Sequence, residues 1–450
     1  MKVHFIAVGG AVMHNLAIAL HNKGYKVTGS DDMIFEPSRS RLEQYGILPE
    51  NPGWDLSKIH PELDAIILGM HARSDNPELK KAVELGIKIY SFPEFMYEQT
   101  KNKKRIVIAG SHGKTTITSM ILHVLKHTGI KFDYLVGSQI EGFDTMVGFS
   151  DESEYAVFEG DEYLTSPLDQ TPKFFHYKPH LAVLSGIAWD HFNVFPTFDI
   201  YMLQFKGFIE RMEEESILFF DNEDDNIKKL LGIGFSHINS ISYDPVEYKN
   251  TEEGTEVCYN NKKVILEVFG HHNMKNISAA KSICNILNIN DEAFFEAIKT
   301  FKGAQRRLEK IAENERFIAF TDFAHAPSKV NASIKAVREK YKNKTLVAFL
   351  ELHTYSSMNK DFLPQYKGVM DKADKAFVCF DPELAKGKKL DSLGNEEIEK
   401  AFSSKNLTVL NNKNDIENAI KINISNNCVL LFMSSGNFSG INIKSFVNNL

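Results

Sequence analysis

The chain has 450 residues and 43% hydrophobic content, enough for about three domains with cores of their own, which excludes a disordered or fibrous protein. Its 59 acidic and 52 basic residues leave a formal net charge of -7, which removes the electrostatic basis for broad binding to nucleic acid or an anionic membrane. Four scattered cysteines, Cys258, Cys284, Cys379 and Cys428, make neither a C-x-x-C pair nor a disulfide framework and suit a reducing, cytoplasmic setting. The N-terminus runs straight into a strand-like stretch without the longer apolar region of a signal peptide. No apolar run approaches the ~18 residues of a membrane span, so no membrane insertion is expected.

Short β-branched runs alternate with amphipathic stretches almost throughout, the pattern of parallel sheets covered by helices. Val3 to Val8 reads as a buried strand, Met13 to Lys23 as a helix stopped by Gly24, and Lys26 to Gly29 as a strand ending at Ser30-Asp31-Asp32. Ala65 to Leu68 and Ile87 to Tyr90 continue that sheet. A polar, basic stretch from Glu98 to Arg105 precedes a fresh strand, Ile106 to Ala109, and places a first boundary near 104. A new strand-helix alternation opening with Phe317 to Asp322, after Phe301 to Arg307, places a second near 310, and later strands are expected at Thr345 to Leu350, Ala376 to Phe380 and Val429 to Met433. The Asn/Lys-rich patch Asn411 to Asn414 reads as a loop. The expected fold is therefore α/β in three domains, 1–104, 105–310 and 311–450: Rossmann-like, a central sheet of the P-loop ATPase type, and Rossmann-like again.

Strand Ile106 to Ala109 is followed by Gly110-Ser111-His112-Gly113-Lys114-Thr115-Thr116 and by a helical stretch, Ile117 to Lys126. Such a loop turns backbone N–H groups and a helix N-terminus toward phosphate, its glycines allow close approach, Lys114 adds charge and the Thr115 hydroxyl can ligate Mg²⁺. Ile108 stands where the general G-x-x-x-x-G-K-[ST] pattern has its first glycine. Phosphate handling also calls for a carboxylate and a histidine. Ala156 to Glu162 reads as a short strand ending in the acidic cluster Glu159, Asp161 and Glu162, and Leu181 to His191 as a strand ending in Asp190-His191. At the carboxyl ends of a parallel sheet these side chains would converge on the phosphate loop. The turn at Gly9-Gly10, with Asp31 about 20 residues on, imitates a dinucleotide fingerprint, but the third glycine is missing and position 14 is His.

Taken together, AGSHGKTT (109–116), FEGDEY (158–163), Asp190-His191, GHHNMKN (270–276), FKGAQRRLE (301–309), TDFAHAPSKV (321–330) and MSSGNFSGI (433–441) resemble, in order and spacing, the Mur ligases, ATP-dependent enzymes that add amino acids or peptides to the UDP-linked peptidoglycan precursor. FEGDEY with Lys173-Phe174-Phe175-His176-Tyr177, FAHAP and SSGNFSGI resemble the branch acting on UDP-N-acetylmuramate, which includes an L-alanine ligase and a recycling ligase for L-alanyl-γ-D-glutamyl-meso-diaminopimelate. The likeness leans to the recycling type, although Leu350 to Ser357 partly resembles the alanine ligases.

The resemblance implies that the muramoyl carboxylate takes the γ-phosphoryl of ATP and that an amine then attacks the acyl phosphate. It makes Lys114, Glu159 and His191 catalytic, with Thr115, Glu159 and His191 holding Mg²⁺. ATP would be bound by Gly110, Ser111, His112, Gly113, Lys114, Thr115, Thr116, Asn273, Asn276, Arg307 and Asp322. UDP-N-acetylmuramate and the amino acid or short peptide would be met by Gly9, Gly10, Asp31, His325 and Lys329, the first domain holding the UDP moiety. Lys206, 16 positions after Asp190, stands where several family members carry a carbamylated lysine; a solvated helix surface is the other reading. No residue declares itself as the base for the amine. A P-loop NTPase driving motion is the rival class, and the Asp-His pair and the separate first domain speak against it.

Overall fold

The computed structural model describes residues 1–70, 72–166, 168–388, 390 and 393–450. Among the described residues the chain forms an α/β structure with a four-stranded, a seven-stranded and a six-stranded sheet in chain order, plus a small three-stranded sheet. The first is all parallel, with Lys2–Ile6 between Lys26–Ser30 and Ala65–Leu68, and Ile89–Ser91 at one edge. Helix Ala11–Asn22 crosses between its first two strands and ends where Gly24 takes φ 85°, a left-handed turn suited to glycine. Ser91 and Glu94 form a reciprocal capping box that starts helix Phe92–Thr100.

The seven-stranded sheet runs Ile238–Tyr243, Ser216–Asp221, Leu181–Leu184, Lys104–Ala109, Tyr155–Glu159, Phe132–Leu135 and Val147–Gly148, parallel except for the last. Lys104–Ala109 therefore lies between Tyr155–Glu159 and Leu181–Leu184, and the segments leaving these three strands meet at one edge. The six-stranded sheet orders Glu309–Glu313, Phe317–Asp322, Cys428–Met433, Thr345–Leu352, Lys375–Phe380 and Leu407–Leu410, with only the first antiparallel.

Polar contacts tie the sheets together. Arg105 is almost wholly buried; it donates to the Tyr177 and Lys101 carbonyls at 2.8 and 2.9 Å and to Glu213 at 2.7 Å, with its guanidinium 5.0 Å from the Tyr97 ring centre. On the other side the Tyr248 hydroxyl donates to Glu339 at 2.8 Å, and Trp189 and Phe192 pack on Phe362 with ring centres 5.8 Å apart in each pair.

Two local expectations need correction. The strand expected over Leu181 to His191 stops at Leu184, because Gly186 takes φ 145° and its carbonyl accepts from the Ser111 N–H at 2.8 Å, so the chain turns along the phosphate loop instead of extending the sheet. The loop expected at Asn411 to Asn414 contains a helix start: Asn412 caps the Asp415 N–H and Lys413–Asn423 follows. The antiparallel sheet of Tyr248–Asn250, Thr255–Tyr259 and Lys262–Leu266 has no counterpart in the sequence reading.

Candidate active site

The phosphate loop owes its shape to two glycines. Gly110 sits at φ 125°, and a Cβ there would lie 2.6 Å from Ser185 Oγ; Gly113 sits at φ 68°, where a Cβ would lie 2.4 Å from Asn276 Oδ1. Helix Lys114–His127 starts directly after Gly113 without a side-chain cap, so its first N–H groups and its dipole face the cavity, as a phosphate requires. Lys114 Nζ donates to the Gly110 carbonyl at 2.7 Å and to Glu162 at 2.6 Å. Burial works against its charge, but the Glu162, Asp161 and Glu159 carboxylates outweigh it and hold the ammonium above its ordinary pKa.

The Thr115 hydroxyl donates to Glu159 at 2.8 Å and accepts from Arg307 at 3.2 Å, while the other Glu159 oxygen accepts from the Gly137 N–H at 2.7 Å. A hydroxyl and a carboxylate at this spacing beside a phosphate loop are hard oxygen donors of the kind Mg²⁺ takes. Next to them Asp161, Glu162 and His191 bring potential ligand atoms within 4.8 Å of one another, with His191 Nε2 3.6 Å from Glu162. Glu162 is buried and also accepts from Tyr201, whose hydroxyl shares a 2.8 Å hydrogen bond with Ser111. Burial raises the Asp161 pKa, but Lys173, 2.6 Å away, and Lys114 overcome this and hold the acid well below the usual carboxylate range.

The phosphate loop lines a cavity of about 410 Å³ whose far wall comes from the third sheet's side of the molecule. Lys329 donates to Asp190 at 2.8 Å, His325 lies 4.0 Å from the same oxygen, and His112 shares a 2.7 Å hydrogen bond with Ser328. Burial, reinforced by Lys329, pushes the pKa of His112 down to about 3 and that of His325 to about 4, so both rings are neutral at pH 7. At Asp190 burial is opposed chiefly by the Lys329 ammonium, which holds the acid well below its normal range. A second cavity, of about 380 Å³, runs from Gly10 and Val12 past Phe92 to Thr115, Glu159 and Arg307. The two share Thr115, Glu159, Arg307 and Phe323.

The residues singled out from sequence fall into three groups. Ser111 to Thr116, Glu159, His191, Asn273, Asn276, Arg307, Asp322, His325 and Lys329 all line the first cavity. Asn273 is no helix cap: its amide donates to the Phe269 carbonyl, and Asn276 donates to Asn273. Asp322 is buried, which raises its pKa, and accepts from Ser333. Gly10 alone of the N-terminal set lines the second cavity, whereas Asp31 accepts from the Gly9 N–H at 2.7 Å and holds that turn. Lys206 lies apart, a half-exposed side chain paired with Glu210 at 3.2 Å. Tyr201 carried no sequence signal; His272 and Lys275, within GHHNMKN, and Lys173, within its KFFH run, did but were assigned no role. Lys275 bonds Asp221 at 2.7 Å in the first cavity's wall.

A phosphate loop that faces the third sheet's side of the molecule and is joined through shared residues to another cavity is the arrangement suited to an enzyme that brings a nucleoside triphosphate to a second substrate. Family models match in chain order: Mur ligase family, catalytic domain, over residues 2–104, Mur ligase middle domain over 108–284, and Mur ligase, glutamate ligase domain over 306–436. The UDP-N-acetylmuramate--L-alanyl-gamma-D-glutamyl-meso-2,6-diaminoheptandioate ligase of Haemophilus influenzae is 27% identical over 98% of both chains. The UDP-N-acetylmuramate--L-alanine ligase of Caldanaerobacter subterraneus subsp. tengcongensis is 30% identical over 84% of this chain and 82% of its own. A murein peptide ligase structure from Psychrobacter arcticus superposes with a TM-score of 0.68 at 23% identity, covering 100% of this chain and 99% of that one. The chain belongs to the Mur ligase family and is an ATP-dependent ligase that forms ADP and phosphate.

Proposed function

We propose that this ligase joins the carboxylate of UDP-N-acetylmuramate to the amine of L-alanyl-γ-D-glutamyl-meso-diaminopimelate through an acyl phosphate, in cytoplasmic peptidoglycan recycling. The observation that carries the reading is the meeting of the two cavities at Thr115, Glu159 and Arg307, where a carboxylate from the second can face a γ-phosphate from the first. Residues 1–104 would hold the UDP-sugar, 105–310 the ATP, and 311–450 would close on the nucleotide and receive the amine. Likeness to the Haemophilus influenzae enzyme along nearly the whole chain favours the tripeptide. The 30% identity to an L-alanine ligase, together with His353-Thr354-Tyr355 in the third domain, keeps L-alanine as the second reading.

Phosphoryl transfer between two anions draws its rate from positioning and concentrated positive charge. Lys114 and the N–H groups of the loop would hold the β/γ-phosphates, and Arg307 would neutralise the group in transit. Thr115 and Glu159 would bind one Mg²⁺, and His191 with Asp161 and Glu162 a second; bound there, the metal supplies Lewis-acid charge to phosphoryl oxygens. The Lys329–Asp190 and His112–Ser328 contacts draw the third domain over the site, which would exclude water from the acyl phosphate.

Phosphate release from ATP with Mg²⁺ and UDP-N-acetylmuramate, offering L-alanine and the tripeptide in parallel, tests the reading. Release dependent on the tripeptide, with the matching mass gain on the UDP-sugar, is expected. Release dependent on L-alanine would move the enzyme to primary synthesis, and silence with both would overturn the acceptor.

A further inference from the structure

The second cavity poses an electrostatic problem. A carboxylate travelling through it toward Thr115 meets Glu159 and Asp161, two acids of its own sign, in a wall otherwise made mostly of apolar groups such as Val136, Phe92 and Met13. Before Mg²⁺ is bound, like charges this close in a poorly solvated site repel strongly unless another cation intervenes. Among the described residues only Lys173 and Arg307 bring positive charge to that wall. Arg307 is shared: it lines both cavities, donates to the Thr115 hydroxyl and lies 5.0 Å from the Phe323 ring centre, so it faces the nucleotide side as well. Lys173 lines the second cavity alone.

The lysine is also held in place. It opens the short helix Lys173–His176, its backbone N–H donates to the Tyr163 carbonyl at 3.0 Å, and its side chain, 12% exposed, reaches Asp161 at 2.6 Å and lies 5.5 Å from the Tyr163 ring centre. An ammonium has three donors, and among the described residues Asp161 is the single hydrogen-bond partner of this one. Two N–H donors are left in the cavity wall beside the place where the reacting carboxylate has to pass.

We propose that Lys173 binds the lactyl carboxylate of the UDP-sugar acceptor, offsetting the repulsion from Asp161 and Glu159 and orienting that carboxylate toward the γ-phosphate. This rests on the acceptor reading given above and adds to it the residue that recognises the reacting group. It makes Lys173 the group by which the cavity distinguishes a muramoyl from a glucosaminyl UDP-sugar.

The test is binding without ATP or Mg²⁺, by calorimetry on the full chain, of UDP-N-acetylmuramate and of two ligands that keep the uridine diphosphate but lack the lactyl carboxylate, UDP-N-acetylglucosamine and UDP. Lys173→Met is expected to weaken UDP-N-acetylmuramate by roughly 10- to 100-fold, the range for losing a charge-assisted hydrogen bond, and to leave the two control ligands unchanged. Lys173→Arg should recover part of the loss. Because Lys173→Met takes the ammonium away from the half-buried Asp161 carboxylate, the double variant Asp161→Asn/Lys173→Met provides the same comparison with the charge pair removed together. Equal weakening of all three ligands, or none of any, would overturn the assignment to Lys173. Failure of the wild-type chain to bind UDP-N-acetylmuramate while it binds UDP would instead overturn the acceptor reading itself.

Discussion

The two cavities share a wall and differ in how the chain builds them. The nucleotide side rests on a contiguous loop, Gly110 to Thr116, whose backbone N–H groups, glycines and lysine act as one unit between a strand and a helix. The second cavity, proposed to take the acceptor, is collected from Gly10, Phe92, Val136, Lys173 and Arg307, positions far apart in sequence that meet only after three sheets have packed. A contiguous site tolerates little change in any member, whereas a collected site spreads recognition over many weaker contacts.

That contrast is open to attack first at Lys114. Lys114→Ala removes the principal cation of the phosphate loop and also takes from the buried Glu162 its lysine partner, leaving it the Tyr201 hydroxyl. Loss of about 10³-fold in turnover is expected, with UDP-N-acetylmuramate affinity unchanged, which turnover assays alongside calorimetry would show. An equal loss of acceptor affinity would mean that the two sides are one site. Arg307→Ala should do what Lys114→Ala does not. Because Arg307 lines both cavities, the KM for ATP and the KM for the acceptor should each rise by about tenfold or more. A rise in only one of them would assign Arg307 to that side.

Gly113→Ala probes the loop's backbone. The residue sits at φ 68° and its new methyl would collide with Asn276 Oδ1, so a cost of about 1–2 kcal/mol from the left-handed conformation alone is expected. A lower melting temperature with a several-fold fall in ATP-dependent turnover would follow, and an unshifted melting temperature would show that the loop relaxes freely.

These expectations mirror what could be read in advance. The phosphate loop was legible because its chemistry is local: strand, glycines, lysine and helix follow one another, and each constrains its neighbour. Alternating strands and helices likewise foretold the parallel sheets, since period and β-branching are properties of short segments. Tyr201 was invisible because nothing near it in sequence says that its hydroxyl joins Ser111 to Glu162 across the fold. The expected strand to His191 failed for a related reason. Leu181 to Ile187 is apolar enough to extend, but the Gly186 turn answers a hydrogen bond from Ser111, a long-range partner. Lys173 was visible as part of a motif and silent about its purpose, which depends on the cavity it faces.

A smaller effect is one of pH, to which the nucleotide cavity contributes three of the histidines whose pKa burial lowers, His14, His123, His180 and His353 being others elsewhere. His112, His325 and His272 all line that cavity, and burial pushes their pKa values down to about 3, 4 and 4. In the unfolded chain these rings titrate near 6.5. Between about pH 6.5 and 4 the unfolded state therefore binds more protons, so stability is full above pH 6.5 and falls as the solution is acidified through that window. Urea midpoints taken from pH 7.5 to 5 should decline, and His112→Asn should flatten part of the decline. A midpoint that is level across this window would show that the three rings protonate as readily in the folded protein.

The smallest expected change is at Lys206, and it marks the outer limit of the nucleotide site. A carbamylated lysine acting on Mg²⁺ has to reach the Thr115–Glu159 side chains, yet Lys206 lines neither cavity and its ammonium pairs with Glu210 one helical turn on. With both partners more than a third exposed, such a surface pair contributes at most about 0.5 kcal/mol. Tyr201, on the same helix, bonds instead to Glu162, so this helix contributes a hydroxyl to the site's hydrogen-bond network rather than a carbamate. Lys206→Ala should keep turnover within about twofold and insensitive to added bicarbonate, since an exposed pair of this kind is weakly coupled to anything else. A large loss of turnover, restored by small carboxylic acids, would instead bring Lys206 into the metal site and require the helix to turn toward it when ATP binds.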